Sequence, residues 1–295
     1  MNIYAERDSN VRKTWFLMTG FLVFVIMIGW GFSYIYQSPG ILVFAVIFSL
    51  AMNVASYWYS DKIVMSLYKA KEVTNDSHPD LYNMTENIAI TAGLPMPKLF
   101  VIPESQPNAF ATGRNPEHAA VAVTSGLLDI LERAELEGVI AHEMAHIGNR
   151  DTLLQTVVVV LVGFIALLAD MFIRMQIFGG RNNDNKGGGF LVIIGIVLAV
   201  LSPLVAIMIQ LAISRKREFL ADSTGALFTR YPEGLASALE KISSYHVPMK
   251  RANNATAHLF IANPFADKSK KKSLAHLFAT HPPVAERVSK LRGGI

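Results

Sequence analysis

A chain of 295 residues with 52% hydrophobic side chains and a mean hydropathy of +0.33 is more apolar than ordinary water-soluble domains. It has no cysteine, which excludes disulfides and thiolate-bound zinc. A formal charge of +4 and an isoelectric point near 9.2 fit basic residues lying beside a membrane, and no feature points to nucleic acid.

The apolar residues are clustered. No charged side chain lies between Lys13 and Asp61, and the run divides at Gln37-Ser38-Pro39-Gly40 into 14–36 and 41–59. Each half meets the roughly 20 residues needed to cross a bilayer core. The first is too long for a signal peptide and lacks a small-residue cleavage site, so a membrane hairpin is expected. Arg7, Arg12 and Lys13 precede it, and Lys62, Lys69 and Lys71 follow it. By the positive-inside rule both flanks are cytoplasmic.

Beyond the hairpin, an amphipathic helix is expected over 61–71 and another over 80–91, where Pro79 and Gly93 mark start and stop. KLFVI at 98–102, NAFAT at 108–112 and AAVAVT at 119–124 read as strands. They predict a small sheet, and an exposed edge strand in it would accept an extended peptide through backbone hydrogen bonds. A purely structural sheet is the alternative. His118 reads as a solvated turn residue.

Next comes His142-Glu143-Met144-Ala145-His146, inside a helical pattern of apolar residues that Gly148-Asn149 ends. Histidines four apart on a helix stand on one face, roughly 6 Å apart along the axis, within reach of one metal ion. Glu143 projects beside them, placed to touch a metal-bound water without being a ligand. A third ligand must come from elsewhere.

Two further uncharged runs follow, 152–169 and 187–214, the second kinked by Pro203. They read as a second membrane hairpin, with a pair of buried core helices as the alternative. Arg215, Lys216 and Arg217 come next, again on the cytoplasmic side, although Arg181 and Lys186 in the preceding loop break the rule. Glu218 and Asp222 then fall four apart on one helix face. One can bind zinc while the other holds a ligand histidine by its free ring nitrogen. Ala221, Gly225 and Ala226 predict close packing of this helix against another. A further amphipathic helix is expected over 231–245, then a loop over 253–273 with Lys268 and Lys270–272, then a helix over 284–291 behind His281-Pro282-Pro283. From the residues alone, His281 reads as a capping or packing residue.

HEMAH, REFLADSTGA and THPPVAER together resemble the HtpX-type membrane zinc metalloproteases, relatives of the eukaryotic endopeptidases that process prenylated CaaX proteins. The resemblance covers nearly the whole chain. It implies that His142, His146 and Glu218 bind one zinc ion, that Glu143 is the general base and that Asp222 supports a ligand. It also implies that His281 supports the developing oxyanion, with Arg287 positioning it.

These readings combine into a predominantly α membrane protein with four transmembrane helices and a cytoplasmic α+β zincin-like metallopeptidase domain. The expected division is a cytoplasmic N-terminus (1–13), a membrane hairpin (14–59), a first catalytic half with the zinc helix (60–151), a second hairpin (152–213) and a second catalytic half (214–295). Two crossings between His146 and Glu218 would return both to one side, as a shared ion requires. The expected function is zinc-dependent peptide-bond cleavage at the cytoplasmic face of a bacterial inner or plasma membrane, and the resemblance implies membrane or misfolded proteins as substrates and a place in envelope quality control. Two alternatives stand beside it: a dedicated protease for a lipidated peptide precursor, and a metal-binding membrane scaffold or transporter without hydrolytic activity. The partners expected are protein or peptide substrates and the lipid bilayer; oligomeric state is not legible.

Overall fold

The computed structural model describes residues 3–178, 208, 214–252, 255–265 and 281–293. The chain opens with two long antiparallel helices, α1 (Ile3–Ile35) and α2 (Pro39–Trp58). Gln37, at φ 49°, makes the tight reversal, and Pro39 starts α2 where its missing N–H costs nothing. Among the described residues, these are the two helices long and apolar enough to cross a membrane. Their outward faces carry exposed Val23, Met27, Val43, Phe44 and Ile47, side chains that lipid accepts and water does not. Exposed aromatics sit at both ends: Trp15, Trp58 and Tyr59 beside the basic flanks, and Trp30, Tyr34 and Tyr36 at the turn. That is the distribution of an interfacial aromatic belt.

Helix α3 (Ser60–Leu67) leaves the hairpin and leads to strand β1 (Lys71–Val73). The expected helix over 61–71 therefore stops early; β1 has only three residues, two of them exposed, so no apolar alternation announces it. Helix α4 (Pro79–Ala92) ends at Gly93, whose φ of 65° gives the left-handed cap open to glycine at no steric cost. Strands β2 (Lys98–Ile102), β3 (Ala109–Gly113) and β4 (Ala119–Thr124) follow. The four form one mixed sheet in the order β1-β2-β4-β3, with β2 and β4 parallel and the outer pairs antiparallel. A short helix α5 (Ser125–Ile130) leaves β4.

One face of this sheet packs on α4, on α6 (Arg133–Gly148) and on α9 (Pro232–Ser243) through Leu99, Ala111, Val121 and Val123. The other face, through Ile102, Phe110 and Ala122, packs on Val64 and Tyr68 of α3, on Val159 of α7 (Asp151–Phe178) and on Phe260. Strand β3 is an edge, as a peptide-binding strand should be, but all five of its residues are buried. The Ala109 carbonyl on its outer side already accepts a hydrogen bond from the Ile261 N–H at 2.9 Å.

Helix α6 starts with a reciprocal cap between Glu132 and Glu135, then the chain turns by 84° into α7. Arg150, at φ 60°, makes that corner. The third apolar run lies on α7, whose Leu154, Val157, Val158 and Leu161 are fully buried against Leu17, Met18 and Phe21 of α1. The fourth run lies outside the described residues except for Met208 and Ser214, as does the lysine-rich segment around Lys270. After it come α8 (Arg215–Thr229), α9 and α10 (Val284–Arg292).

Candidate metal centre

Helix α6 is the central helix of the domain, with Val139, Ile140 and Met144 fully buried. Each such side chain contributes about 1.5–3 kcal/mol over leaving it exposed. A helix so buried brings its polar residues into the interior with it, and His142, Glu143 and His146 are all buried. Charged forms there need partners. Helix α8 supplies them by lying against α6 at backbone distance. A Cβ on Gly225 would stand 2.9 Å from the His142 nitrogen, so only glycine allows the approach. The small residues of α8 pack as their spacing predicts.

The crossing brings one ligand atom each from His142, His146 and Glu218 within 4.8 Å of one another, all three residues buried. The two imidazoles meet edge to face, and their Nε2 atoms are 3.2 Å apart. Both far nitrogens are engaged: His142 Nδ1 faces Asp222 Oδ1 at 3.0 Å, and His146 Nδ1 faces Asp151 Oδ2 at 2.9 Å. With Nδ1–H donating to a carboxylate on each ring, the two Nε2 lone pairs point at the same space. Neutral lone pairs facing each other repel, so that space suits a proton or a cation. Two nitrogens bound tetrahedrally to one zinc ion are separated by roughly 3.3 Å, a close match to the observed distance. Glu218 completes the set, with Oε1 3.6 Å from His146 Nε2 and Oε2 3.8 Å from His142 Nε2. Its Oε2 is buried and accepts no hydrogen bond, a costly state that a bound cation would relieve. The donor set therefore fits a divalent metal of the borderline kind that takes nitrogen and carboxylate ligands.

The electrostatics divide the histidines. Burial pushes His142 down to about 4 against the pull of Asp222, leaving a neutral ring. Burial also works to lower His146, but Asp151, Glu218 and Glu143 together carry it up to about 9. In the metal-free site a proton can therefore sit between the two rings. Burial raises Glu143 to about 7, with the His146 charge opposing and the Glu218 charge adding to it. Burial works to raise Asp222 too, but Arg287 and His142 outweigh it and hold the carboxylate well below the usual range.

All seven residues singled out in the sequence come together. Arg287 is buried and clamps Asp222 with two hydrogen bonds, Nε to Oδ2 at 2.9 Å and Nη2 to Oδ1 at 2.6 Å. It also donates to the Ile261 carbonyl at 3.3 Å and lies against the His142 ring. Its contacts thus support the Asp222–His142 pair. His281 brings Nε2 to 3.4 Å from Glu218 Oε2, and burial, with Arg287 and His146 nearby, pushes it down to about 3. His118 is exposed and bonded to Asn115, away from the site. Two participants escape the spacing of the motifs. Asp151 carries no flag except a lone acid opening an apolar run, and Asn10 sits 141 residues away from it.

Comparison with known proteins gives the family. A model of peptidase family M48 matches residues 75–295. A protein named "Protease HtpX homolog" from Caldanaerobacter subterraneus subsp. tengcongensis is 44% identical over 297 residues, covering 98% of this chain and 97% of that protein. Another of the same name, from Desulforapulum autotrophicum, is 49% identical over 255 residues, covering 86% and 81%. The crystal structure of S. mikatae Ste24p overlays with a TM-score of 0.48 and 18% identity, covering 98% of this chain and 67% of that one. Relatives this similar along almost the full length, together with a family model that matches residues 75–295, place the chain in peptidase family M48, and it is a metal-dependent endopeptidase.

Proposed function

We propose that the chain is a zinc endopeptidase of the cell membrane that cleaves membrane and misfolded proteins at the cytoplasmic face, as part of protein quality control. His142, His146 and Glu218 would hold the ion, and the 3.2 Å gap between two Nε2 atoms beside the orphaned Glu218 Oε2 is the observation that carries this reading. Zinc in such a set supplies a Lewis acid that acidifies water and polarises a carbonyl.

The chain's own groups do the rest. Glu143, raised to about 7, is poised to accept a proton from the attacking water near neutral pH and to pass it to the leaving nitrogen. His281 stays neutral, and a neutral imidazole can donate one N–H to the oxygen that gains charge in the tetrahedral intermediate. Asp222 and Asp151 fix the tautomer and angle of the two ligand rings, and Arg287 fixes Asp222. The Ala111 N–H of β3 donates to the Glu143 carboxylate and so holds it in place beside the two histidines. Basic residues beside Trp15 and Trp58 support a cytoplasmic domain held by a hairpin at 14–59.

Glu143→Gln separates the readings. Purified protein should keep its zinc while cleavage falls by roughly 100- to 10,000-fold. Glu218→Ala should instead lose the metal. A Glu143→Gln protein that still cleaves a membrane substrate would remove Glu143 from the reaction and return the chain to the scaffold reading.

A further inference from the structure

We propose that Asn10, on the first membrane helix, is a positioning residue of the metal centre, so that the helix is part of the catalytic apparatus as well as its anchor. The inference rests on His146 being a metal ligand. Asn10 lies outside the 75–295 matched by the family model and precedes the apolar run, yet it is completely buried. Its side-chain amide nitrogen donates to Asp151 Oδ1 at 2.6 Å and to the Asn149 carbonyl at 3.3 Å. Its Oδ1 accepts from the Arg217 guanidinium at 3.1 Å. Arg217 also approaches Asp151 Oδ1 through Nε at 3.5 Å, and Asp151 Oδ2 takes the His146 ring. Asn10, Asp151 and Arg217 are each at least 98% buried.

Three parts of the chain meet at this point. Asn149 and Asp151 flank the 84° corner between α6 and α7, and Arg217 directly precedes Glu218. One amide therefore pins the corner that aims His146 and the start of the helix that carries Glu218. An amide suits the task because it must donate to an anion and accept from a cation at once. An aspartate would set two carboxylates against each other, and an apolar residue would leave Asp151 Oδ1 without its shortest hydrogen bond. Leu17, Met18 and Phe21, packed on Leu154, Val157 and Val158, hold α1 where Asn10 reaches the corner.

The test uses the purified full chain, loaded with cobalt as a spectroscopic stand-in, and affinity measured by chelator competition. Wild type should bind, and His146→Ala should bind far more weakly. Asn10→Ala should lose roughly tenfold or more in affinity, as loss of an outer partner of a ligand does, with a shifted cobalt absorption band. Asn10→Asp and Asp151→Asn should each weaken binding. The double swap should recover much of it, because the carboxylate at position 10 would then accept from both Arg217 and the amide at position 151, whose oxygen still faces His146. An Asn10→Ala protein with wild-type affinity and spectrum overturns the proposal. So does a double swap whose loss is the product of the single losses, and that arm decides if Asn10→Ala does not fold. Absence of metal from wild type, or wild-type affinity in His146→Ala, overturns the metal assignment itself and the role of Asn10 with it.

Discussion

His146 shows how one residue ties the site to pH. A group whose pKa is raised on folding binds its proton more tightly in the folded state. In the metal-free protein that proton contributes stability fully below 6.5, and the contribution is lost as pH rises through about 9. Metal binding runs the other way, because Nε2 must give up the proton to become a ligand. Above about 7, where Glu143 also titrates, and up to about 9, each unit of pH should therefore tighten metal binding by about tenfold, one proton released per ion. Chelator competition across that range checks it, and a flat profile would mean that His146 is already neutral in the metal-free site. His142, held neutral at about 4, should add nothing to the slope there. The two histidines share a motif and a helix, both are buried, and the different groups behind them, Asp222 with Arg287 and Asp151 with Glu218, set them apart.

At the scale of elements the decisive contact is α6 against α8. Gly225→Ala would force a Cβ to 2.9 Å from the His142 nitrogen and 3.0 Å from the Ala141 carbonyl carbon. Overpacking of this kind costs about 1–3 kcal/mol. The displaced helix carries Glu218, so the variant should melt earlier and should also hold metal more weakly. Thermal unfolding with and without added zinc separates the two effects, and a variant that is destabilised but binds normally would show that the crossing can shift without opening the ligand set. The same contact explains what the sequence reveals. Histidines at i and i+4, carboxylates at i and i+4, and a run of small residues are local patterns, each with a period that a helix imposes. The strands 98–102 and 119–124 are legible for the same reason, since β-branched and apolar residues cluster in them. Asn10 and Arg217 are not, because their meaning lies in partners 141 and 207 residues distant, and a polar residue before an apolar run looks like any membrane flank. Hydropathy also cannot separate a lipid-facing helix from one buried in protein, and α7, whose first turns are buried against α1, carries the same apolar run in either case.

For the whole molecule, the placing of His146 within 3.6 Å of Glu218 constrains the chain between them. Residues 147–217 must return to the side they left, so they cross the membrane twice or not at all. The first helix adds a second constraint, since Asn10 joins this cluster from the basic end of α1, and the domain must lie on the side of Arg12 and Lys13. The natural chain has no cysteine, so single thiols report without background. Cysteine at Asn183 should react with an impermeant maleimide added outside intact cells. Cysteine at Ser77, exposed on the domain, should react only after the membrane is opened. Labelling at Ser77 but not Asn183 would invert the molecule. Protection of both would mean that 147–217 never crosses, leaving the hairpin at 14–59 as the membrane-spanning part and the long apolar helix α7 as core. Two crossings and none satisfy that proximity equally well, so the choice between them falls to the maleimide.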